Sequence, residues 1–187
     1  MNIPQNLVSP DDKTVPTMIY SHQKIIWGDL ISRKTIRVST WLKTEMAPNF
    51  ITIVNAQILL FGAGETLGKF TFPIMHVHKD QIIAYHILPP ADESPYYDKN
   101  IPNRIMESVT IIAGIFRFDG QLRFSEETDL FHYLSVLGED FLSVYDLTMN
   151  CPLIPTIKGI RVPFGMINQN WAIVAKKNLM GRINDIP

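Results

Sequence analysis

The residues best suited to chemistry in this chain are two histidines one position apart, His76-Val77-His78. On a strand, residues i and i+2 project to the same face, so both imidazoles can bind one transition-metal ion such as zinc. A metal site needs a third ligand, and Asp80 and His86 are the nearest candidates in sequence. The plainer reading is two histidines on a half-exposed strand face, because so short a pattern recurs by chance. A second constellation is Arg33, Lys34 and Arg37 with Trp41. Cations beside an aromatic ring carry energy at protein contacts and can also meet phosphates. Its plainer reading is a solvated charged turn.

No catalytic constellation accompanies these groups. Cys151 precedes Pro152 and fits an unpaired thiol better than a nucleophile. Gly62-Ala63-Gly64-Glu65 lacks the Lys-Ser/Thr of a phosphate-binding loop. Glu126, Glu127 and Asp129 are acids where a helix dipole favours them. Asp29, Asn55 and Asp146, or Ser125 with His132, lack the spacing that would fix an acid–base partner. The expectation is a non-enzymatic protein with no cofactor.

The chain repeats itself, with a passage at about 20–88 returning, altered, at about 108–178. Ile25-Ile26-Trp27-Gly28 is matched to Ile111-Ile112-Ala113-Gly114, and Ile36-Arg37-Val38-Ser39 to Leu122-Arg123-Phe124-Ser125. Phe50-Ile51-Thr52-Ile53-Val54-Asn55 is then matched to Phe141-Leu142-Ser143-Val144-Tyr145-Asp146, Phe72-Pro73 to Val162-Pro163, and the seven residues from Val77 to those from Ile167. Ordered self-similarity of this kind fixes architecture before any fold is assigned. The sequence divides into a flexible arm (1–17), a first β module (18–88), a proline-rich linker (89–107), a second β module (108–178) and a tail (179–187). Tyr96 and Tyr97 are expected to pin the linker to a module surface.

Within the second module Val109 to Phe118 reads as a strand, Asp119-Gly120 as a hairpin turn and Gln121 to Phe124 as the return strand. Ser125 reads as a helix N-cap, Gly138 as the stop, and Leu130, Phe131, Leu134 and Leu137 as the apolar face. The first module repeats this plan, with Ser39 as cap, Trp41, Leu42 and Met46 apolar, and Pro48 forbidding continuation. Three strands follow in each: Phe50–Phe61, Lys69–Val77 and Gln81–Leu88, then Phe141–Met149, Lys158–Ile167 and Trp171–Lys176. Lys79-Asp80 and Gln169-Asn170 are polar turns between the last two. The fold expected is mainly β: two tandem five-stranded modules, each a small sheet or partly closed barrel with one short helix, about a pseudo-twofold axis, with closure into barrels or a shared sheet left open.

The run Asn49-Phe50-Ile51-Thr52-Ile53-Val54-Asn55-Ala56, followed by Val77-His78-Lys79-Asp80-Gln81-Ile82-Ile83, resembles an uncharacterised family of short bacterial proteins in which one copy makes the whole chain. That resemblance implies no activity. More distantly, a strand with glycine, a strand ending in Asn55-Ala56 or Asp146-Leu147, and a polar turn before the last strand are similar to Sm-like barrels, which implies RNA binding. The chain departs from that pattern in carrying its helix between the second and third strands. It also has His78-Lys79-Asp80 and Asn168-Gln169-Asn170 in place of Arg-Gly.

Charge bears on the same question. The first copy carries seven bases against four acids, a formal +3, and the second six against seven, a formal −1. The whole chain of 187 residues stands at −1, without the basic excess of a phosphate-tracking protein. No apolar run reaches the ~20 residues of a spanning helix, the start lacks the pattern of a signal peptide, and one cysteine cannot pair internally, so a cytoplasmic setting is expected. The expected partner is another protein, with a homo-oligomer or internal pseudo-dimer as the form. Copy one, with Arg37 and Trp41, is the expected contact surface, and Trp27 is expected in the core.

Overall fold

The computed structural model describes residues 7–44, 47–62, 65–91, 101–154, 157 and 159–177. Chain order is β1 (Asp12–Ser21), β2 (Lys24–Arg33), α1 (Val38–Leu42), β3 (Phe50–Gly62), β4 (Glu65–His78), a 3-10 turn (Lys79–Gln81) and β5 (Ala84–Ile87). It continues with β6 (Arg104–Ala113), β7 (Phe116–Ser125), α2 (Leu130–Val136), β8 (Phe141–Asn150), β9 (Ile160–Asn168), a second 3-10 turn (Gln169–Trp171) and β10 (Ala172–Lys176). Met46, Ala63, Gly64, Tyr96, Tyr97, Lys158 and the tail from 178 lie outside the described residues, as do 1–6 and 92–100.

The strands form one antiparallel sheet in the order β10-β6-β7-β8-β9-β5-β1-β2-β3-β4, so β10 and β4 are its edges. The sheet is shared and open, not a pair of partly closed barrels. The halves meet at a short ladder between β5 and β9, Ala84 opposite Ile167 and Tyr85 opposite Met166. Successive side chains of a strand point to opposite faces, and here the two faces feed two cores. Ala84 and Ile167 join one with Val109, Phe116, Phe118 and Leu142, while Tyr85 and Met166 join the other with Ile19, Leu30, Trp41 and Ile51.

Several expected boundaries move. Residues 12–17, assigned to an arm, are the first part of β1, whose alternation buries Val15, Thr17 and Ile19; the charged start Asp11-Asp12-Lys13 concealed it. Residues 104–107, assigned to the linker, begin β6. Asp119-Gly120 is no turn but lies inside β7, and the hairpin turns at Gly114-Ile115, with Gly114 at φ 59. Glycine stands at 120 because a Cβ there would come within 2.5 Å of Val144 Cγ1 and 2.9 Å of the Tyr145 carbonyl oxygen. The same crowding occurs at Gly28, 2.7 Å from Ile53 Cγ2 and 2.8 Å from the Val54 carbonyl oxygen. Each glycine sits where the ladder to the next strand slips register, and the facing strands answer with Asn55 and Asp146 at φ 51 and 48. Asn and Asp tolerate this left-handed geometry better than other side-chain-bearing residues.

The expected match of Gly28 with Gly114 does not hold. Ile25–Gly28 lie on β2, but their expected counterparts Ile111–Gly114 run off the end of β6. It is Gly120 that shares the setting of Gly28. The helices shift too. Asp129 caps α2, accepting from the His132 amide at 2.7 Å, whereas Ser125 ends β7. Ser39 lies within α1, whose N-cap position is Arg37 with no side-chain cap bond. Leu130, Tyr133, Leu134 and Leu137 pack on the core at i, i+3, i+4, i+7 spacing, and Phe131 is left 81% exposed.

Candidate functional site

Polar and apolar contacts converge where the two halves of the sheet meet. Asn168, at the end of β9, accepts from the Asn170 amide through Oδ1 at 3.0 Å and so caps its 3-10 turn. Across the seam its own amide donates to the Ile83 carbonyl at 2.8 Å and its Nδ2 to the Ile82 carbonyl at 3.1 Å. Tyr20, Ile25, Phe61 and Ile83 come from the first half, yet they are buried in the core made mostly by the second. Burying one such side chain contributes about 1.5–3 kcal/mol, against about 1 kcal/mol net for a hydrogen bond. Exchanged side chains therefore hold the seam more than its short ladder does.

Tyr20 and His86 form a polar pair beside that core. The Ile87 carbonyl, 3.2 Å from His86 Nδ1, can only accept, so Nδ1 carries the proton. Nε2 then accepts from the Tyr20 hydroxyl at 2.9 Å. Burial pushes the Tyr20 hydroxyl pKa up and the His86 imidazole pKa down, the Ile87 bond opposing the latter only in part. Both groups are thereby held neutral, and His86, 2% exposed, is committed to the fold. It does not join His76 and His78 as a ligand.

Beyond the ladder β9 diverges from β5 and opens a cleft of about 390 Å³, walled by Tyr85, Pro89, Pro90, Val162 and Phe164 with His86 at its side. Its lining is mainly apolar. Polar contacts between the halves lie elsewhere: Lys43 Nζ bonds Glu139 and, at 3.0 Å, Ser143 Oγ, and His22 packs edge-on against Trp171 at 4.4 Å.

The residues singled out by sequence are distributed differently. His76 Nδ1 lies 3.0 Å from Thr52 Oγ1, and His78 Nδ1 accepts from the Asp80 amide at 3.2 Å, capping the first 3-10 turn. Among the described residues no group of three or more His, Cys, Asp or Glu side chains is placed to hold a metal ion. Arg33 pairs with Asp12 at 3.3 Å and Lys34 donates to the Pro10 carbonyl at 2.6 Å. Arg37 is exposed at the start of α1. Trp41, expected at a contact surface, is 6% exposed in the first core; with Arg33 it borders a groove that neither Lys34 nor Arg37 lines. Trp27, expected in the core, is half-buried beneath the Lys69 ammonium, 5.2 Å from its ring centroid. Cys151 is buried, and burial raises its thiol pKa, away from nucleophile behaviour.

Sequence reasoning did not find the seam. Asn168 reads as a turn residue because its carbonyl partners lie eighty-odd residues earlier; His86 stands out in sequence only as a candidate third metal ligand, and nothing marks Tyr20 as its partner 66 residues away. Among the described residues no helix is long and apolar enough to cross a membrane. The chain matches no protein family, no curated protein and no solved structure.

Proposed function

We propose that the chain is a non-enzymatic assembly protein built from two divergent copies of one five-stranded unit. The observation that carries this reading is the seam itself, in which β9, fourth strand of its half, pairs with β5, fifth strand of the other. Two homologous units joined strand to strand, with side chains exchanged between cores, are what fusion of an associating pair would leave. Several correspondences support the duplication. Each half reads fifth-first-second-third-fourth across the sheet. Each carries a helix after its second strand, a bulge glycine in that strand, a left-handed Asn or Asp in the third, and a side-chain-capped 3-10 turn after the fourth. The chemistry agrees, since the buried titratable pair is held neutral and the thiol is sequestered.

An Sm-like relation with nucleic-acid binding through the first copy is the second reading. Its support is that the residues of the resemblance, Gly28, Asn55-Ala56 and the turn after His78, fall in matching places with Gly120, Asp146-Leu147 and the turn after Asn168. Against it, Arg33 and Lys34 are already bonded within the chain. The test is metal analysis and RNA extraction on protein purified without added metal or nuclease. The assembly reading expects neither at stoichiometric level. Metal lost in His78→Ala, or salt-sensitive RNA lost in Arg33→Ala, would overturn it.

A further inference from the structure

The seam uses only half of the pairing surfaces that two copies possess. It consumes the fifth strand of the first copy and the fourth strand of the second, and leaves β4 and β10, their counterparts, as the edges of the sheet among the described residues. We propose that the partner on these edges is a second copy of this chain, with β4 of one molecule pairing antiparallel with β10 of the next as β9 pairs with β5 inside each. This rests on the duplication reading above and names the partner it leaves open.

Backbone geometry favours the same register. In β9 the Gln169 amide turns inward to the Asp140 carbonyl while the Asn168 amide turns outward to Ile83. In β4 the Lys79 amide turns inward to the Asn49 carbonyl, so strand alternation sends the amides of His78 and His76 outward along the edge. At the other edge the Lys177 amide bonds the Ser108 carbonyl, as the Leu88 amide bonds Pro16, which makes Val174 the counterpart of Tyr85 and Ile173 that of Ala84. The pairing then sets Val77 opposite Ile173 and His76 opposite Val174.

Side chains agree with this register. Ile173 is 70% exposed where its counterpart Ala84 is 1% exposed. Trp171 on the same edge and Phe70 and Phe72 on β4 are also exposed. A long edge with apolar side chains is a template for strand addition unless charge or proline blocks it. On β4 the one proline, Pro73, matches Pro163, which lies beyond the two-pair ladder of the seam and so does not obstruct pairing. His78 occupies the place of Asn168 and caps its turn in the same way. With Nδ1 accepting, the neutral ring carries its proton on Nε2, a donor for the neighbouring chain's carbonyl as Asn168 Nδ2 is for Ile82. The contact is heterologous, so it propagates to a closed ring or an open filament rather than to a twofold dimer.

The experiment uses the full chain and two edge variants, Ile173→Lys on β10 and His76→Lys on β4, with native mass spectra and light scattering at several concentrations. Both positions are exposed, so thermal melts should match the parent. The parent chain should run as a multiple of its own mass, each variant alone as a monomer, and their equimolar mixture as a one-to-one dimer, since each retains the edge the other has lost. A monomeric parent, an oligomer untouched by both substitutions, or a dimer of either variant alone would overturn the pairing. Those outcomes leave the assembly reading standing, for it falls on stoichiometric metal or RNA, which the same spectra report separately.

Discussion

Gly28 and Gly120 tie sequence to structure at the scale of single residues. A methyl group at either would collide with a packed side chain and a carbonyl of the facing strand, and overpacking of this kind costs about 1–3 kcal/mol. Gly28→Ala and Gly120→Ala should each lower the denaturation midpoint by a comparable amount. Gly138→Ala, with nothing within 4 Å of the added atom, should leave it unchanged. Tyr20→Phe should cost about 1–3 kcal/mol, since it strips Nε2 of a buried histidine of its donor. His86 also makes stability pH-dependent. Its folded pKa lies below the usual value, so as pH falls below about 6.5 the unfolded chain takes up a proton that the folded chain resists. Stability contributed by neutral His86 is thus present above that pH and lost on acidification toward the folded pKa. Urea titrations across the interval should show the slope, and His86→Gln should flatten it.

Elements were legible where the signal is local. The strands after each helix, the polar turns at 79–80 and 169–170, and the region of each helix follow from alternation and polar punctuation. What misled was local chemistry serving a non-local need. Asp119-Gly120 has the residues of a hairpin turn, but its glycine answers to β8, a strand twenty-odd residues later. Ser125 has the character of an N-cap, yet Asp129 performs that role because the chain turns once more before α2 begins. Asp129→Ala should therefore cost about 0.5–2 kcal/mol and Ser125→Ala markedly less, read by thermal or denaturant melts. The face of α2 follows from this shift, with Tyr133 stacked on Phe124 at 4.9 Å and Phe131 turned to solvent.

At the scale of the whole molecule, ordered matches point to two modules and leave open whether these close into barrels or share a sheet; the two halves share one open sheet. Sequence patterns carry no information about which edges meet, so the seam, with Asn168 bonded to Ile82 and Ile83 and with Tyr20 buried against Phe116 at 5.3 Å, became visible only in three dimensions. The assembly proposal rests on that seam. Native mass spectrometry of the chain, purified without added metal or nuclease, tests it most directly by weighing chain, metal and nucleic acid together. The account predicts peaks made of protein alone, with neither metal nor nucleic acid at stoichiometric level. A chain carrying stoichiometric metal that His78→Ala abolishes, or carrying RNA, would contradict it.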